Sequence, residues 1–120
     1  NIHHALILSR KLLSKEKGGT RQILLITDGE PTAHLEGDRS YFNYPPSYRT
    51  IAETLKEVRR CTQEGILINT FMLESSYQLI DFVDKLTRIN RGRVFYSNPE
   101  RLGEYLLVDY VTNRRKRVAP

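Results

Sequence analysis

The chain has 120 residues, 39% hydrophobic and 28% charged, which suits one globular domain with a modest core. It carries a net charge of +5, but Arg114, Arg115, Lys116 and Arg117 supply four of those positives, leaving the rest close to neutral and arguing against a basic nucleic-acid face. No apolar run approaches bilayer length, no signal-peptide pattern opens the chain, and the single cysteine, Cys61, excludes an internal disulfide and a zinc knuckle, which together fit a reducing, cytoplasmic setting.

Asn1 stands where an initiator methionine would be, and a helical pattern begins at once, as expected of a piece of a longer protein. Ile2, Ala5, Leu6, Ser9, Leu12 and Leu13 mark one face at helical spacing, with Asn1 as the cap and Gly18-Gly19 as the stop. Ile23-Leu24-Leu25-Ile26 then reads as a short strand buried on both faces. It ends at Thr27-Asp28-Gly29-Glu30-Pro31, an acid, a glycine and a proline at the point where a strand opens into a loop. Ligands of open α/β sheets gather at such carboxyl ends, so Asp28 is the first candidate for a metal or phosphate site, with Glu30 and Thr27 beside it.

Residues 30–47 read as one long loop, rich in Gly, Pro, Asn, Asp and Tyr. Its aromatics, Tyr41, Phe42 and Tyr44, with Tyr48 just beyond, either pack the loop down or form the rim of a partner site. Thr50-Ile51-Ala52-Glu53 has the form of a capping box, opening a helix along Ile51, Leu55 and Val58 that Gly65 closes. Ile66 to Met72 is a second strong strand. A helix from Ser75 or Ser76 carries Leu79, Phe82, Val83, Leu86 and Ile89 inward and stops at Gly92, and Val94-Phe95-Tyr96 makes a third strand. Ser97-Asn98-Pro99-Glu100 opens a last helix through Leu102, Leu106 and Tyr110. Strict alternation of helix and strand implies right-handed crossovers and a Rossmann-like parallel sheet with helices on both faces. The domain is expected over residues 1–112, with 113–120 as a basic tail. Three strands are few for such a sheet, so further strands are expected on the amino-terminal side.

Ile26-Thr27-Asp28-Gly29-Glu30-Pro31, closing a strand that a helix precedes, resembles the latter half of a von Willebrand factor A (vWA) domain. Arg49-Thr50-Ile51, Asn69-Thr70-Phe71-Met72-Leu73, Thr87 to Arg93 and Leu102-Gly103-Glu104-Tyr105 resemble a bacterial, intracellular branch, that of the magnesium-chelatase D-subunit and CoxE-like proteins. The resemblance runs from Asn1 to about Tyr110. It implies a non-enzymatic interaction module in which a cation, Mg²⁺ or Mn²⁺, held at a metal-ion-dependent adhesion site, engages a partner carboxylate. It also implies a partner such as an AAA+ ATPase of the MoxR or chelatase type. Such sites draw on three loops, carrying Asp-x-Ser-x-Ser, a threonine and an aspartate. Only the third is matched here, by Asp28; no Asp-x-Ser-x-Ser occurs, and the threonine would fall just before Asn1. Magnesium wants six oxygens in near-octahedral geometry, so this chain alone is expected to bind it weakly or not at all. The first strand's edge is expected to be exposed, favouring a homodimer through it.

Other signals have plainer readings. Glu30 either orients metal-bound water or caps the backbone. His3, His4 and His34 lack ligand spacing for zinc and read as exposed or partly buried polar positions. Cys61 reads as a packing residue rather than a reactive thiol. Arg88, Arg91 and Arg93 read as a solvated helix end, and the Arg114 to Arg117 run as a solvated tail. No serine elbow and no phosphate loop is present. The alternative function is a metal-dependent phosphoryl-transfer enzyme using Asp28. It would need a second acid or a lysine at another strand end, where Asn69, Thr70 and Ser97 supply neither.

Overall fold

The computed structural model describes residues 1–16, 18–29, 31–42, 47–74, 76–96 and 110. In order they form α1 (Ile2–Leu13), β1 (Gln22–Thr27), β2 (Ala33–Glu36), β3 (Arg39–Phe42), α2 (Tyr48–Gln63), β4 (Leu67–Met72), α3 (Tyr77–Asn90) and β5 (Val94–Tyr96). The expected helix after Pro99 and the basic tail lie outside the described residues, Tyr110 excepted.

The sheet is parallel, in the order β1-β4-β5, with Gln22 opposite Leu67, Thr27 opposite Met72 and Met72 opposite Tyr96. The connections advance one strand at a time in one direction, so right-handed crossovers carry α2 and α3 over the same face. One core joins them there: Leu6 of α1, Ile23 and Leu25 of β1, Val58 and Cys61 of α2, Ile68 of β4, and Phe82 and Leu86 of α3. An α/β fold with helices packed on a parallel sheet, as a vWA domain requires, is therefore present.

The other face of β1 differs from the expected double burial. Leu24 and Ile26 keep 41% and 43% of their surface, because the strand alternates and its inward residues are Ile23 and Leu25. Further along that face Phe71 is fully buried and stacks on Phe95 at 4.8 Å.

Two boundaries and one helix face rest on chemistry other than expected. Ser47, not Thr50, caps α2: its Oγ accepts the N–H of Thr50 at 3.1 Å, and Thr50 lies within the first turn, fully buried. Arg91, not Gly92, takes the left-handed position after α3, at φ +62°. Gly92 is required for a different reason, since a Cβ there would lie 1.8 Å from the carbonyl oxygen of Ile68. On α1 the inner face centres on His3 and Leu6, whereas Ala5 and Leu12 are exposed. His3 takes an inner position because its Nδ1 accepts the Leu35 N–H, while Ile2, Leu6 and Leu13 pack on the core.

The stretch read as a long loop contains a hairpin. β2 and β3 pair antiparallel from Ala33 opposite Phe42 to Glu36 opposite Arg39. Gly37-Asp38 is a two-residue turn with positive φ (+61°) at its first position, where glycine is favoured.

Candidate functional site

Asp28 follows β1 directly and is exposed at the carboxyl end of the strand. Its turn is closed by Thr27, whose hydroxyl donates to the Gly29 carbonyl at 2.6 Å and accepts the Gly29 N–H at 3.2 Å. Thr27 is itself buried, so its side chain shapes the turn instead of facing outward as a ligand. Glu30 and Tyr44 lie outside the described residues.

The parallel register adds a residue the sequence reading missed. The N–H of Leu73 donates to the Thr27 carbonyl at 2.9 Å, continuing the β1–β4 pairing one residue past the end of β4. Glu74, exposed, thus joins Asp28 at the same rim of the sheet. The signal was available as an acid just after the Ile66 to Met72 strand, the pattern that singled out Asp28. These two carboxylates do not amount to a complete cation shell. Among the described residues no group of three or more His, Cys, Asp or Glu is placed to hold a metal.

Two of the aromatic residues expected to form one rim, Tyr41 and Tyr48, lie among the described residues. Tyr41 on β3 stacks on His34 at 5.4 Å with planes 16° apart, a packing role within the hairpin. Tyr48, on the first turn of α2, is 88% exposed.

A second polar constellation lies between α1, the hairpin and α2. His34, read from sequence as exposed or partly buried, is 2% exposed, and His3 is 3% exposed. Their rings meet edge to face at 6.1 Å. Nδ1 of His34 meets Thr50 Oγ1 at 2.9 Å and its Nε2 meets Glu36 Oε1 at 3.0 Å, so both nitrogens are engaged. Nδ1 of His3 accepts the Leu35 N–H at 3.0 Å, which leaves the ring proton of the neutral imidazole on Nε2. Metal ligation through Nε2 would need the opposite tautomer, so this arrangement disfavours zinc on physical grounds. Burial, with help from His34, lowers the His3 pKa against the raising pull of Glu57 and Glu53.

His3 also lines an open cleft of about 560 Å³, with Lys11 on α1, Glu36 and Gly37 on the hairpin, and Arg49, Glu53 and Arg60 on α2. Beneath it Glu57 is fully buried, held by Arg10 from α1 and by Arg60 Nη1 at 2.9 Å. Sequence offered no sign of this pairing, whose partners are 47 residues apart. Among the described residues no helix is long and apolar enough to cross a membrane.

Comparison with known proteins agrees with this architecture. The family described as "Rv0959-like protein, vWA domain" matches residues 1–111. The uncharacterized protein Rv0959 of Mycobacterium tuberculosis and the uncharacterized protein Mb0984 of Mycobacterium bovis are each 38% identical to this chain over 97% of it. The chain spans 18% of the length of either relative. No solved structure matches. The nearly full-length family match, on a parallel sheet with an acid at the end of its first strand, leaves one assignment: the chain belongs to the vWA domains of Rv0959-like proteins.

Proposed function

We propose that this chain is a non-enzymatic protein-interaction module of vWA type, in which Asp28 gives one carboxylate to a divalent-cation site that engages a partner's acidic group. One observation carries the reading: Asp28 is exposed at the carboxyl end of β1, where ligands of open α/β sheets bind. Glu74 beside it raises the negative charge of the rim. The described residues do not by themselves fit Mg²⁺ or Mn²⁺, which keeps near-octahedral oxygen ligands. The remaining ligands must come from elsewhere in the intact protein. The resemblance of the downstream blocks to the magnesium-chelatase D-subunit and CoxE-like branch supports an AAA+ ATPase as the class of partner.

The test is a calorimetric titration of the full-length protein with Mg²⁺ and with Mn²⁺. Binding is expected in the wild type and absent in Asp28→Asn, whose exposed position leaves folding intact. Cation binding that survives Asp28→Asn would remove the reading.

Glu74 also favours a second reading, phosphoryl transfer, because it supplies the acid at a neighbouring strand end that this chemistry would require. Hydrolysis of a general phosphate ester by the full-length protein, lost in Asp28→Asn, would select it over the interaction module.

A further inference from the structure

A groove of about 300 Å³ runs between α2 and α3 on the outer surface of the helical layer. Its floor is apolar, formed by Ile51, Ala52 and Leu55, and both Ile51 and Leu55 rest on the main core. Its walls carry Lys56, Arg59 and Lys85, and no acid lines it among the described residues. We propose that this groove docks an acidic amphipathic helix of a partner protein, in a contact that needs no cation.

Charge complementarity argues for the acidic partner. Lys56 is paired with Glu53 at 3.1 Å and Lys85 with Asp81 at 3.0 Å, each within its own helix and open to solvent. Such exposed pairs are weak and readily exchanged for a better-placed carboxylate. Arg59 is exposed and has no acidic partner among the described residues. The floor argues for a helix. Ile51 and Leu55 stand four residues apart on α2 and form an apolar strip along its axis, which a third helix covers with residues of the same spacing. Tyr48 stands at the head of the groove, 88% exposed and of the residue type that anchors interfaces. Because α2 and α3 lead into the amino ends of the parallel strands β4 and β5, their own starts, and with them the head of the groove, lie toward the end of the domain that carries Asp28. A partner seated in the groove therefore approaches the rim proposed above without depending on it.

The experiment is fluorescence polarisation of the full-length protein with a labelled helical peptide carrying leucines at i and i+4 between glutamates. Saturable binding is expected, undisturbed by chelator or by Asp28→Asn, and progressively weakened as salt is raised. The paired variant Arg59→Glu and Lys85→Glu, both at exposed positions, is expected to weaken it by about tenfold or more with an unchanged far-ultraviolet circular dichroism spectrum. Tyr48→Ala is expected to weaken it as well. Absence of saturable binding would overturn the proposal. Equal affinity for the charge-reversed protein, loss of binding with chelator, or tighter binding of a single-stranded oligonucleotide would do the same.

Discussion

The backbone N–H of Leu35 donates to Nδ1 of His3 at 3.0 Å, so one imidazole fastens the hairpin to the first helix. That bond exists only while Nδ1 carries no proton. Burial holds the His3 pKa below its ordinary 6.5, and the unfolded chain therefore takes up the proton first as the pH falls. The contribution of His3 to stability is complete above about pH 6.5 and is lost as the pH drops through the lower folded-state value. Glu57 and Glu53 face the ring and oppose this, while His34 and Arg60 reinforce it. Denaturant unfolding between about pH 5 and 8 is expected to show stability rising with pH in the wild type. His3→Gln, whose amide oxygen can accept the same N–H, is expected to flatten that slope, and amide exchange at Leu35 is expected to become insensitive to pH relative to its neighbours. An unchanged slope in His3→Gln would assign the pH dependence to another group.

Gly92 is expected to tolerate no side chain. A Cβ there would meet the Ile68 carbonyl oxygen at 1.8 Å and Asn90 Oδ1 at 3.0 Å, and the first of these is backbone that cannot swing aside. The crowded Asn90 is also engaged: its Oδ1 accepts the Ile68 N–H at 2.7 Å and its Nδ2 donates to the Ile66 carbonyl at 2.9 Å. Gly92→Ala is expected to cost about 3 kcal/mol in equilibrium unfolding. Gly29→Ala, with nothing within 4 Å, is the matched control and is expected to stay within about 0.5 kcal/mol of the wild type.

These contacts show where sequence reading succeeds and where it stops. The strands were legible because β-branched and aliphatic runs such as Ile66-Leu67-Ile68 have no other comfortable state, and Asp28 because an acid ended one of them. The hairpin was legible too, in Gly37-Asp38 between four-residue strands, but the surrounding prolines and tyrosines masked it as loop. The double burial assigned to Leu24 and Ile26 failed because a continuous apolar run does not say how many faces are covered. The burial of His3, His34 and Glu57 was not legible at all. Each is inside because of a partner far along the chain, and no local pattern records Leu35, Thr50 or Arg10 arriving beside them.

Glu57 is expected to be the most sensitive charged position in the protein. It is fully buried, with Arg10 on one oxygen and Arg60 on the other. Its neighbour Arg10 also reaches Glu64 at 3.0 Å, and its pKa is raised chiefly by the bond to Glu57. Glu57→Ala would leave Arg10 with Glu64 alone and is expected to cost about 1–3 kcal/mol. Replacing the pair together, Glu57→Leu with Arg10→Met, is expected to recover most of that loss, since desolvation then falls on neither charge. Thermal or denaturant unfolding of Glu57→Leu, of Arg10→Met and of the double completes the cycle.

Cys61 lies in the core on the same helix, one turn beyond Glu57, and burial together with that carboxylate pushes its thiol up to about 11. The thiolate is the reactive form, so at pH 8 native Cys61 is expected to resist iodoacetamide and to label only after unfolding. Rapid modification of the folded protein would show that the thiol is reached from solvent.

The outer edge of β1 carries no strand among the described residues, and Leu24 and Ile26 are exposed on the adjoining face. An unpaired edge presents a row of N–H and C=O groups, and two aliphatic side chains beside it give a second chain something to bury. Self-association of the isolated chain is therefore expected to rise with concentration in sedimentation equilibrium. Ile26→Lys places a charge on that face, at a position exposed enough to accept it without disturbing the core formed by Ile23 and Leu25. It is expected to shift the chain to monomer while leaving thermal stability at low concentration nearly unchanged. If the association survives Ile26→Lys, the contact lies elsewhere, and the exposed tyrosines Tyr48 and Tyr77 at the starts of α2 and α3 become the next surface to alter.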